Sequence, residues 1–323
     1  MLTRRCITLA AIALAATLPL GAAAQAFPPT RPISLLVGFA PGGAADAAAR
    51  LIAKKLSENI GQSVVVENKG GAGGNIAHQQ AAAGPADGTL LLLGSVGPLT
   101  IAPHMGKLPY DPFKDLAPVS GAVFFPNLLV VHPSSGIRNM QDFVAAAKKA
   151  PNSVSYASTG RGSASHLAGE LFAARTGTEM LHVPYKGGAP AINDTLAGNV
   201  DMLFAVLPEA LPHIQSGKLH ALGLMGPQRS KVLAGTPTMA ESGFANLNLS
   251  AWVGLFAPAK TPQSVIAQLN RAVHKVLQGE VVAKLGDSGM EVAPGTPEQL
   301  KQTVHQDLLL HAELVKAAGL VPQ

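Results

Sequence analysis

One construction recurs along this chain and limits what it can fold into: an apolar strand-like run, a turn of small residues, then a helical pattern. It appears first as Ile33 to Val37, then Phe39-Ala40-Pro41-Gly42-Gly43-Ala44-Ala45-Asp46, then a predicted helix from Ala45 to Ile60 that Gly61 ends. Val64-Val65-Val66-Glu67 leads into Asn68-Lys69-Gly70-Gly71-Ala72-Gly73-Gly74-Asn75 and an Ala-rich helix up to Ala83. Leu90 to Leu93 leads into Gly94-Ser95-Val96-Gly97-Pro98 and a short helix around Ile101. Val154-Ser155-Tyr156 leads into Ala157-Ser158-Thr159-Gly160-Arg161-Gly162-Ser163 and a helix from Ala164 to Arg175. Leu181-His182-Val183 leads into Pro184-Tyr185-Lys186-Gly187-Gly188 and a helix from Ala189 to Leu196. Alternating strands and helices predict α/β layers. Open sheets of that kind bind ligands beyond the carboxyl ends of their strands, where these turns lie.

The chemistry of such turns follows from their residues. Gly42 and Gly43 lack the Cβ atoms that keep a ligand from the backbone. A helix start leaves its first amides without internal partners and carries partial positive charge, so it holds an anion without Lys or Arg. The other donors on offer are the hydroxyls of Ser95, Ser158, Thr159 and Ser163 and the Tyr185 phenol. That set suits an oxygen-rich anion, and carboxylates better than phosphates, because there is little fixed positive charge at the turns, with Arg161 and Lys186 as exceptions. Two readings stand for several residues. Asp46 is a ligand acceptor or an ordinary first-turn acid; His166 is a ligand contact or a packed structural histidine; Lys186 and Arg161 face the ligand or the solvent.

The chain has 323 residues, enough for two domains, with 47% apolar residues and 13% charged ones. Its formal charge of +5 includes Arg4 and Arg5. The excess is scattered and has no interleaved aromatics, which argues against nucleic-acid binding. Arg4 and Arg5, the apolar run Ile7 to Leu20, and Ala22-Ala23-Ala24-Gln25-Ala26 read as a secretory signal over residues 1–26, cleaved near Ala24 to Ala26. Cys6 is the only cysteine, so the mature chain would have neither disulfide nor thiol chemistry. No apolar stretch beyond the N-terminus is long and uncharged enough to span a bilayer.

Val119 to His132 and Leu249 to Pro258 are long apolar runs suited to crossing between domains. They place the first domain in residues 27–124 and 251–323 and the second in 125–250. Two amphipathic helices close the chain, each announced by Thr-Pro: Thr261-Pro262 and Thr296-Pro297. Enzyme signatures are weak. Ser163 and His166 lack a G-x-S-x-G elbow, although an exported serine hydrolase using them stays as the alternative. The ten histidines show no metal-binding spacing, and no P-loop or full dinucleotide fingerprint is present, so neither a metal nor another cofactor is expected.

Arg31-Pro32-Ile33 with Phe39 to Asp46, Val65 to Ile76, Tyr156 to Phe172 and Val183 to Gly188 resemble, in order and spacing, the solute receptors of tripartite tricarboxylate transporters, the Bug family. The resemblance covers Arg31 to at least Pro262. It implies a two-domain periplasmic binding protein, type II-like, each domain a mixed sheet flanked by helices, with two crossing strands at the hinge and closure on the ligand. It implies a small carboxylic-acid ligand (a di- or tricarboxylate, an amino acid or an aromatic acid) and an inner-membrane permease as partner. A receptor of the same fold that signals instead of transporting is the other reading. By the same resemblance the ligand meets Phe39, Pro41, Gly42, Gly43 and Asp46 from the first domain, with Ser95. From the second it meets Ser158, Gly162, Ser163, His166, Tyr185, Lys186, Gly187 and Gly188. Ala157 stands where relatives commonly have glycine, and Arg161 adds a charge near the cleft.

Overall fold

The computed structural model describes residues 27–245 and 247–320. The expected signal segment, with Arg4, Arg5 and Cys6, lies outside the described residues. Among the described residues, no helix is long and apolar enough to cross a membrane.

The first half is built from β1 (Ile33–Val37), α1 (Ala44–Ile60), β2 (Val64–Asn68), α2 (Asn75–Ala82) and β3 (Leu90–Ser95). β1 pairs in parallel with both β2 and β3. Every residue of β3 is buried, the unbroken apolar pattern of a strand covered on both faces. α1 lays Ala48, Ala49, Ile52, Ala53 and Leu56 against the sheet, and Gly61 ends it in a left-handed conformation that only glycine adopts freely. Fully burying a side chain such as Ile52 or Leu56 stabilises by about 1.5–3 kcal/mol.

A single long strand, β4 (Leu116–Val131), joins the halves. Its first part pairs with β9 (Ser250–Pro258) and β10 (Glu291–Val292); from Asn127 onward it pairs with β7 (Met202–Val206) and β8 (His220–Leu224). β5 (Ser155–Ser158) and β6 (Leu181–Pro184) extend the second half in parallel. The strand order β2-β1-β3-β9-β4-β7-β5-β6 is therefore continuous, a curled sheet with β4 as its spine. The chain comes back at Leu249, whose carbonyl accepts from Asn127 Nδ2 at 2.7 Å, and β9 then pairs only with β3 and β4 of the first half.

Helices α3 (Met140–Ala147), α4 (Ala164–Thr176), α5 (Gly188–Leu196) and α6 (Leu207–Gln215) flank the second half. Asn139 caps α3, its side chain accepting from Asp142 N. The C-terminal part adds α7 (Gln263–Val276), α8 (Glu280–Asp287) and α9 (Pro297–Ala317). Thr296 and Gln299 form a full capping box on α9. Thr261 is not a cap: α7 starts after Pro262 and the Thr261 hydroxyl is buried without a partner. One apolar core runs from the first half into the second, from Ile33 to Phe172, and a smaller one lies around Leu128, Ile192 and Leu211.

Candidate functional site

The turns at the strand ends of both halves meet each other, and their glycines permit it. Ala40 N donates to Lys186 O across the junction at 2.9 Å. A Cβ on Gly73 would lie 2.2 Å from Arg161 O, one on Gly97 2.8 Å from Gly162 O, and one on Gly187 2.8 Å from Ala40 N. Close approach is needed, as the glycines suggested, but much of it is approach of one lobe to the other.

Between the lobes the turns enclose a cavity of about 60 Å³. Phe39, Val96, Phe125, Phe204, Val206, Trp252 and Val253 form its apolar walls, with Asn127 beside them. Two polar groups interrupt the walls. One is Ser95, Thr159, Ser163 and Ser165, at the start of α4. There Ser163 Oγ caps α4 by accepting from His166 N, and lies 3.0 Å from Ser165 Oγ. Helix geometry leaves the first amides of α4 without internal acceptors. The Ser95 hydroxyl is buried without a hydrogen-bond partner. Its backbone is fixed by His78: Ser95 N donates to Nε2, while Nδ1 lies 2.9 Å from Gly74 O. Burial lowers the His78 pKa to about 4, which keeps the ring neutral for that double role.

The second polar group is Gly43, Ala44 and Gly188 around Glu209. Glu209 stands in the first turn of α6, and its Oε1 accepts from Ala44 N, at the start of α1, at 2.8 Å. A Cβ on Gly188, the first residue of α5, would lie 2.0 Å from Oε2. As a residue Glu209 keeps some exposure, but its carboxylate is enclosed and Oε2 has no partner. Burial raises its pKa to about 7, against the pull of the Ala44 amide. The group seated at the Gly42-Gly43 turn is thus the protein's own carboxyl. Among the described residues, no lysine or arginine lines the cavity.

Of the residues singled out from sequence, Phe39, Gly43, Ser95, Thr159, Ser163 and Gly188 line this cavity. The others are placed differently. Asp46 is buried and accepts from Gly42 N, Asn68 Nδ2 and Arg50 Nε, so it braces the turn from behind. Pro41 and Gly42 are exposed at the rim. Ser158 Oγ is engaged with His182 Nε2 at 2.6 Å and accepts from Gly160 N. His166 accepts from Gly162 N and stacks on His182 with ring centroids 4.2 Å apart. Burial first, then the charges of His182 and Arg161, lower its pKa to about 3. Ser163 does not touch the His166 ring; its hydroxyl donates to Gly160 O. Gly162, Tyr185, Lys186 and Arg161 line an outer groove instead. The Tyr185 hydroxyl donates to Asp194, and Lys186 contributes its carbonyl to the lobe contact while its side chain is exposed. Gly187 is the buried point against Ala40.

Glu209 and Asn127 were not legible as site residues. Glu209 sits on a helix hidden by Pro208 and Pro212. The available signal was Val206-Leu207-Pro208-Glu209: a strand end, then proline and an acid in a helix first turn. Trp252 joins the cavity to the C-terminal helix. It lines the cavity and its Nε1 donates to Asp307 Oδ2 at 2.6 Å.

Two α/β lobes strung on one long strand, with an enclosed cavity where their turns meet, define the periplasmic binding protein architecture. A model of the tripartite tricarboxylate transporter family receptors matches residues 48–320, and the chain belongs to that family. It is 37% identical to Protein BugT of Bordetella pertussis over 294 residues, 90% of each chain. Among solved structures it is similar to the periplasmic binding protein BugD, with TM-score 0.88, 35% identity and coverage of 91% of this chain and 100% of that one. It is equally similar to R. palustris Rpa4515 with adipate, with TM-score 0.88, 34% identity and coverage of 91% and 99%.

Proposed function

We propose that this protein is a periplasmic solute receptor. It takes a small carboxylate-bearing molecule between its lobes, closes on it without chemistry, and delivers it to an inner-membrane permease of the tripartite tricarboxylate type. The lobes are residues 27–124 with 251–323, and residues 125–250, hinged about β4. The observation that carries the reading is the cavity: helix starts and hydroxyls at the strand ends, no basic side chain, and glycine contacts that let the lobes meet over it. Family membership and the adipate-bound neighbour support the ligand class.

The ligand carboxylate is assigned to the unpaired Ser95 hydroxyl and the first amides of α4, because the Ser163 hydroxyl donates to Gly160 O and the Ala44 amide is already taken by Glu209. A thermal-shift screen of the mature protein against carboxylic acids, amino acids, sugars and phosphates tests the reading. A ligand at a hundred times Kd stabilises the folded state by about 2.7 kcal/mol. Stabilisation by carboxylates, weakened about tenfold in affinity by Ser95→Ala, is expected. Stabilisation only by sugars or phosphates would discard the ligand class.

A further inference from the structure

The acid in this cavity carries an inference about which carboxylate is bound. Among the described residues, Glu209 is the only acidic or basic side chain that lines it. Oε1 is anchored by Ala44 N at 2.8 Å, and the starts of α1, α5 and α6 converge on the carboxylate. These starts favour its ionised form and fix its direction. Oε2, in contrast, is buried and has no donor. Beside it the Gly188 backbone packs directly against the carboxylate, so closely that a Cβ there would fall on it. A buried carboxylate oxygen without a donor is costly, and proteins seldom keep one without a use. A purely anionic ligand would bring like charge to this oxygen, with no Lys or Arg to offset it. A ligand with an ammonium group would supply the missing donor and the compensating charge together.

We propose that Glu209 is the specificity-determining residue of the cavity, and that the ligand presents an ammonium group to its Oε2 as well as a carboxylate to the Ser95 and Ser163 side. The inference rests on the receptor reading above and narrows its ligand to amino-bearing carboxylates. Asn127 and Thr159 add neutral polar contacts that a zwitterion tolerates.

Calorimetric titration of the mature protein with matched pairs tests it: aspartate against succinate, glutamate against glutarate, 4-aminobutyrate against butyrate. The expected result is at least about tenfold tighter binding of one or more amino-bearing members than of their counterparts. Glu209→Gln, which keeps an acceptor for Ala44 N, is expected to remove that preference while retaining native circular dichroism. Equal or tighter binding of the deaminated members by the unaltered protein would overturn the role of Glu209 and leave the carboxylate reading intact. A preference that survives Glu209→Gln would overturn it as well. Binding of no member of any pair would overturn this inference; the broader screen above then decides separately whether the carboxylate reading falls with it.

Discussion

At Glu209 two forces oppose each other: enclosure of the carboxylate disfavours its charge, while the Ala44 amide and the helix starts favour it. Enclosure wins, and the pKa moves from 4.5 up to about 7. Between those values the folded state holds a proton that the unfolded chain releases. The folded state without ligand therefore loses stability as pH rises from about 4.5 to about 7. Among the described residues, His213, one turn along α6, is the other titratable side chain lining the adjoining groove. Urea unfolding of Glu209→Gln and the unaltered protein at pH 5 and pH 8 should show the variant gaining relative stability at the higher pH; a constant difference would mean that Glu209 does not titrate in this range. Asp46 behaves oppositely. Burial pushes its pKa up, but hydrogen bonds from Arg50, Gly42 and Asn68 outweigh that and hold it below the ordinary value. Its contribution is present at neutral pH and is lost as the pH falls through that lowered pKa. Asp46→Ala should cost about 2 kcal/mol at pH 7 by leaving the turn's donors unpaired, measured by denaturant titration. Sequence could place Asp46 in the first turn. It could not say whether the carboxylate faced the ligand or the turn, because both orientations start from the same backbone position.

At the scale of elements, the two Thr-Pro helix starts look alike in sequence and differ in structure. Thr296 makes a reciprocal cap with Gln299, while the Thr261 hydroxyl is buried with nothing to bond. Thr296→Ala should therefore cost about 1 kcal/mol, and Thr261→Val should be neutral or stabilising in the same unfolding assay. Equal losses at both would show that Thr261 does cap its helix. The alternation of strands and helices was legible because β3 and α1 keep the apolar periods of their classes. Helix α6 was not, since Pro212 breaks the usual pattern inside it. The element that carries Glu209 was thus the one least visible in sequence.

For the whole molecule, the contact between lobes depends on backbone meeting backbone at the turns. Gly97 tests this effect at the cavity wall, because its own conformation suits any residue while a Cβ there would meet Gly162 O and Ser163 Cα across the junction. Gly97→Val should hold the lobes apart. Small-angle scattering with ligand present should then give a larger radius of gyration than the unaltered protein, with unchanged secondary structure and weaker binding. Identical dimensions and affinity would remove closure at this turn from the mechanism. A second expectation concerns α9, which packs against the first half through Trp252 to Asp307 and brings His311 to Thr100 at 2.9 Å. Trp252→Phe should loosen that anchor and one cavity wall together, lowering both the unfolding midpoint and ligand affinity.

The sequence by itself determined the α/β alternation, the small-residue turns at the strand ends and the family, since each is written in local periodicity or in contiguous motifs. It also limited the cavity to backbone amides and hydroxyls by offering few cations at the turns. Only the tertiary structure decided which turn residues face the cavity and which face each other. Ala44 and Glu209 lie 165 positions apart, and nothing local relates them until β4 and its neighbours bring their helices together. Their hydrogen bond puts a protein carboxylate where the turn alone invites a ligand's, because an anion site is satisfied by whichever anion the fold delivers to it.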